Sequence, residues 1–113
     1  MLLMQISISD FEKIDIRVGK IIEIEDYPEA RKPSYLLKVD FGPVIGIKQS
    51  IGQFTHYSKD ELRGRLIAGV INLPPLKIGS KFSEVLVLGF PDEKGRAILV
   101  IPEKDVPLGG KIY

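Results

Sequence analysis

IDIRVGKIIEIE, residues 14–25, is the stretch whose reading decides the fold. Ile14, Ile16, Val18, Ile22 and Ile24 recur at even spacing, and only Lys20 interrupts them. Side chains two apart share one face of a strand, so the spacing predicts a long strand with these five turned toward the core. Gly19 sits in the middle, where it weakens a flat strand but suits a bend or bulge. A first strand that coils to serve both halves of a small barrel needs such a point.

Upstream, Ser9-Asp10-Phe11-Glu12 has the pattern of a capping box and predicts one helical turn. Downstream, Tyr27 to Pro33 is turn-rich. Tyr35, Leu37, Val39 and Phe41 then alternate with Leu36, Lys38 and Asp40, and Gly42-Pro43 breaks the chain before a partner strand over 44–51. Ser58 to Glu61 forms a second capping box, which Gly64 stops. Leu66 to Leu73 and Val85 to Phe90 are apolar on both faces, the pattern of strands covered on two sides. A turn over Asp92 to Gly95 leads to a further run, Ala97 to Ile101, and a Pro/Gly-punctuated tail ends in Ile112 and Tyr113. Three strands, a helix and two strands is the order of a five-stranded OB-type β-barrel, a mainly β fold that offers an outer strand face and flanking loops for binding.

At 113 residues the chain predicts a single domain spanning 1–113, with a core that needs no staples. Cysteine is absent, which excludes disulfides, thiolate metal sites and cysteine nucleophiles. No apolar run approaches the ~20 residues of a membrane span, and the start lacks a signal-peptide pattern, so the expected compartment is the cytoplasm. Sixteen basic against 15 acidic residues give a net charge of +1. General nucleic-acid binders carry a strong basic excess, so any such role here rests on a local patch.

Catalytic chemistry is not assembled in the sequence. His56 is the sole histidine and reads as a loop residue. Gly110-Lys111 lacks the rest of a phosphate loop. Glu23, Glu25 and Asp26 read as solvated charges that deter edge pairing. The expectation is a non-enzyme with no cofactor and no metal.

Certain strings add a resemblance. Asp15-Ile16-Arg17-Val18-Gly19, then Glu61-Leu62 with Gly64-Arg65, then Asn72-Leu73-Pro74-Pro75 resemble the tRNA-binding OB domain family. Tyr27 to Pro33, Gly46 to Ser50 and Ser83 to Gly89 resemble its CsaA branch, the homodimeric export-related chaperones, over nearly the whole chain. The tRNA-binding branch carries Ser-x-Gly-Met near the fifth strand, whereas this chain has Ser83-Glu84-Val85-Leu86; a carboxylate there opposes phosphate. The resemblance implies a homodimer joined through the terminal extensions, 1–13 and 96–113. It also implies one pocket per subunit for unfolded or pre-export polypeptide, taken as apolar-plus-basic segments. The alternative is a tRNA-binding protein acting in trans through the same surface. A purely structural subunit is the plain third reading.

Nine residues are candidates for contacting peptide or RNA. Lys48 and Ser50 share one face of the third strand, read as an outer face able to hold a phosphate or a carbonyl; a merely solvated face is the competing reading. Arg17 either meets a ligand or pairs with Asp15. Asn72 bonds a ligand backbone or caps a turn, and Pro74 follows it in an exposed extended segment. Arg31 and Lys32 supply a positive rim or plain solubility charge. Phe82 stacks on a base, lines an apolar slot or packs in the core, and Ser83 stands beside it.

Overall fold

The long first strand, β1 (Ile16–Asp26), carries antiparallel neighbours on both edges in the computed structural model, which describes residues 3–113. The second half of β1 pairs with β2 (Tyr35–Asp40) and its first half with β4 (Leu66–Val70). β3 (Ile47–Gly52) adds beyond β2 and β7 (Leu86–Val87) beyond β4, giving the sheet order β3-β2-β1-β4-β7. The sheet curls until its outer strands meet. Glu84 and Val85 N–H donate to the Gln49 carbonyl, and Gln49 N–H donates to the Glu84 carboxylate. Ile51 N–H donates to the Ser83 hydroxyl. The result is a nearly closed five-stranded antiparallel barrel, the OB-type architecture predicted from the order of strands.

The interior face of β1 is not the predicted one. Its ladder with β2 steps from Ile21↔Val39 to Glu23↔Lys38, so Ile22 is the extra residue of a bulge. Gly19 and Ile21 face the core before the bulge and Ile24 after it. Ile14 is exposed, and Ile16, Val18 and Ile22 are half-buried. One inserted residue flips every later side chain, so an even spacing counted across it mixes two faces.

Ile21, Leu37, Val39, Phe41, Phe54, Leu62 and Ile67 form the centre of the core with Val85, Val87 and Leu99. Each large side chain removed from water there contributes ~1.5–3 kcal/mol. Two short helices flank the barrel. α2 (Lys59–Leu62) begins at the predicted Ser58–Glu61 box. α1 (Ile8–Glu12) begins two residues earlier than predicted, because Ser7 and Asp10 make the reciprocal cap instead of Ser9 and Glu12.

Both two-sided apolar strands are shorter than expected. β4 ends at Val70, and the run 85–90 divides at Leu88 into β7 and β8 (Gly89–Pro91). β8 turns through Asp92 to Gly95 into β9 (Ala97–Leu99). A hairpin absent from the sequence reading, β5 (Leu76–Ile78) and β6 (Lys81–Ser83), follows the prolines and turns at Gly79, whose φ is +64°. The tail is not loose. Gly109 and Ile112 N–H donate to Val18 and Ile16 carbonyls, and Val18 N–H donates to Gly110, so the tail lies on the edge of β1 that β2 leaves uncovered. Of the two terminal extensions, residues 1 and 2 fall outside the described residues. Among the described residues no helix is long and apolar enough to cross a membrane.

Candidate binding groove

The barrel seam closes only at one end. Past Gln49 and Ile51 the outer strands part, leaving a groove of about 1180 Å³ between Ser50–His56 on one wall and Leu86–Gly89 on the other. Ala30 to Ser34 and the Arg96-Ala97 pair complete its rim. Ile51, Phe54, Ile78, Leu86, Val87 and Leu88 make much of the lining apolar. Arg31, Lys32 and Arg96 are its charged residues, and no carboxylate lines it. In a chain of net charge +1, Arg31 and Lys32 bring unpaired positive charge to this rim, while Arg96 is paired. Arg96 is aimed by Asp92 (Nε to carboxylate 2.8 Å), whose own pKa is held below the ordinary range, mainly by the Arg96 backbone N–H. Arg31 and Lys32 have no ion-pair partner among the described residues.

His56 is exposed on the same wall, its ring 4.5 Å from that of Tyr57 between centroids. The Tyr57 hydroxyl accepts from Leu99 N–H, and the Tyr35 hydroxyl donates to the Tyr57 carbonyl. The wall is therefore tied to both β2 and β9.

The nine candidates separate into distinct places. Arg31, Lys32 and Ser50 line the groove. Lys48 and Ser50 do not sit on the outer face as predicted. Their register partners are Val39 and Leu37, both core residues, and Ser50 is 2% exposed. Arg17 pairs within the fold: its Nε lies 2.6 Å from the Asp15 carboxylate and its Nη1 donates to the Gly109 carbonyl. Asn72 accepts from Asp15 N–H and donates to the Lys13 carbonyl, which fixes the joint between α1 and β1. The Ser83 hydroxyl takes the Ile51 N–H and donates to the Val85 carbonyl, closing the seam. Pro74 is exposed and outside the groove; Pro75 is the proline beside Phe82.

Phe82 is not core. It is 49% exposed on a small shelf with Gln49, Pro75, Lys81 and Glu84. The Glu84 carboxylate flagged in the sequence as hostile to phosphate spends one oxygen on Gln49 N–H. Gln53, Phe54 and Arg96 were missed as groove residues. Only the fold brings Arg96 to Arg31 and Lys32; in sequence it is one more charge after a turn.

A sequence model described as "Putative tRNA binding domain" matches residues 16–111. The chain belongs to this family. Within the tRNA-binding domain family it is CsaA-like. The structure of the CsaA chaperone protein of Picrophilus torridus is similar at a TM-score of 0.91 and 49% identity, covering 96% of this chain and 100% of that one. The chaperone CsaA of Bacillus anthracis str. Ames is similar at a TM-score of 0.90 and 39% identity, covering 97% and 100%. A methionine–tRNA ligase of Pyrococcus abyssi is 39% identical over 114 residues, 96% of this chain but 15% of the ligase. The chain thus spans about 15% of the length of this curated relative.

Proposed function

We propose that this protein is a non-catalytic, homodimeric cytoplasmic chaperone whose groove captures extended segments of unfolded or pre-export polypeptide. The observation that carries the reading is the lining of the groove: apolar side chains beneath Arg31, Lys32 and Arg96, with no carboxylate. Unfolded chains expose apolar residues, and such a slot removes them from water. The unpaired Arg31 and Lys32 refine the client. A basic segment would meet like charge, so the preferred partner is apolar with acidic residues rather than the apolar-plus-basic segment expected from the resemblance. Likeness to proteins named CsaA chaperones supports the same reading.

The dimer is supported by apolar surface at the two ends of the chain. Leu3, Met4, Ile6 and Ile8 are exposed before and within α1, and Val106, Ile112 and Tyr113 in the tail. The ends meet, since the Lys111 ammonium donates to the Glu12 carbonyl at 3.0 Å. Apolar side chains left exposed where the two ends meet mark an interface, and a two-fold axis would bury them against their counterparts. Light scattering tests this part, with about twice 12.6 kDa expected.

Titration of fluorescein-labelled unfolded peptides, acidic-apolar against basic-apolar, tests the groove. Saturable micromolar binding of the acidic series is expected, and no saturation for either series refutes the reading. A second reading, tRNA binding in trans, has the family match and the same cations in its favour. It demands binding that weakens steeply with salt, read by a tRNA gel shift at two ionic strengths.

A further inference from the structure

The two walls of the groove are strand edges with unspent backbone groups. On one side Leu88 N–H donates to the Ala68 carbonyl while the Leu88 carbonyl accepts from Val100 N–H. Both groups of Leu88 therefore point toward β4 and β9. Antiparallel ladders alternate, so the N–H and carbonyl of Val87 and of Gly89 point the other way, into the groove. None of these four groups has a hydrogen-bond partner among the described residues.

The facing wall behaves likewise. Gln49 and Ile51 direct their N–H groups across the seam to Glu84 and Ser83. The same alternation sends the Ile51 carbonyl into the groove, again without a partner. Backbone groups this close to a core are nearly always paired, and Val87 is only 6% exposed.

We infer that the groove takes its client as an added β-strand, hydrogen-bonded to the Val87–Gly89 edge, so that an extended acidic-apolar segment completes the barrel where its seam is open. Main-chain bonds give affinity without regard to sequence, as strand addition does elsewhere. Alternate side chains of the guest then select: one set meets the apolar lining and the other the Arg31, Lys32 and Arg96 rim. On this reading one groove accepts segments of different sequence. The inference rests on the polypeptide-binding reading above.

The probe is a ten-residue fluorescein-labelled peptide of alternating valine and glutamate, with two analogues. One analogue carries backbone esters in place of the valine amides, the other in place of the glutamate amides. Anisotropy titration with the full-length protein is expected to show at least a tenfold loss for one analogue or both. Hydrogen exchange at the Val87 and Gly89 amides is expected to slow at least tenfold with the parent peptide bound. If the parent saturates the groove while both esters bind within threefold of it and those amides exchange unchanged, strand addition is wrong although polypeptide binding stands. If the parent fails to bind, the polypeptide reading falls and this falls with it. Protection of the two amides by a ten-nucleotide oligouridylate but not by the peptide overturns it in favour of a nucleic-acid groove.

Discussion

Phe41 lies against Gly19 so closely that a Cβ on the glycine would stand 2.8 Å from the ring Cε1, and 2.6 Å from Val39 Cγ1. Across the ladder, Gly69 of β4 meets the tip of the same ring, where a Cβ would fall 3.1 Å from Cζ. The ring occupies the space two side chains would fill, which is how β1 and β4 bend around the core.

Gly19→Ala must therefore displace buried side chains on β2 and beyond, at a cost of about 1–3 kcal/mol. Gly69→Ala meets a looser contact and costs less. Urea unfolding followed by circular dichroism ranks the two. A Gly19→Ala protein with the midpoint of the parent would show that Phe41 moves aside freely.

Asn72 ties the end of β4 to the α1–β1 joint through both atoms of its amide, at 2.9 Å from Asp15 N and 2.7 Å from the Lys13 carbonyl. The site is exposed, so water replaces part of what is lost, and Asn72→Ala should cost about 1 kcal/mol. Asn72→Asp keeps the acceptor and loses the donor, placing a carboxylate against a carbonyl, and should be at least as costly. Peptide affinity should not change in either variant, since the side chain stands outside the groove. A tenfold loss of peptide affinity with stability intact would return Asn72 to the binding surface.

What the sequence made legible was local. The Ser58–Glu61 cap, the alternation from Tyr35 to Phe41 and the turn at Asp92 depend on neighbours a few residues apart, and each appears where it was read. The bulge at Ile22 was not legible, because register is set by the partner strand and not by β1 itself. The short hairpin after Pro75 escaped for a similar reason. Its strands span three residues each, and Tyr27 anchors it by donating its hydroxyl to the Ile78 carbonyl, a contact between distant segments. The groove was half legible. Arg31 and Lys32 were flagged as loop cations, but their union with Arg96 around a lining without carboxylates is a property of the folded surface. Arg17 and Asn72 carried polar chemistry that the fold itself consumes.

Arg31 and Lys32 are free of ion pairs among the described residues, so reversing them should alter binding far more than stability. The double change Arg31→Glu with Lys32→Glu is expected to weaken an acidic-apolar peptide at least tenfold while shifting unfolding by less than about 0.5 kcal/mol. The parent's affinity should fall as salt shortens the screening length to about 8 Å at 0.15 M ionic strength, and the variant's should not. Equal salt dependence in both proteins would place the attraction elsewhere.

Acid should loosen the protein through three carboxylates that hydrogen bonds hold below their ordinary values. The causes are the Ser58 backbone N–H and then its hydroxyl for Glu61, the Ser7 backbone N–H and then its hydroxyl for Asp10, and chiefly the Arg96 backbone N–H for Asp92. A folded-state pKa below the unfolded one means that the folded protein binds these protons less readily. Their contribution is complete above the unfolded values, about 3.9 for Asp and 4.3 for Glu, and disappears as pH falls through the lowered ones. Melting temperature should thus hold level, as far as these groups decide it, from neutral pH to about 5 and drop below it. Ser58→Ala removes the hydroxyl and disrupts the reciprocal cap, so Glu61 should titrate closer to its ordinary value and the acid-induced drop should be shallower. Carboxyl carbon NMR across the titration reads Glu61 directly. An unchanged Glu61 midpoint in Ser58→Ala would mean that the cap does not set its proton affinity.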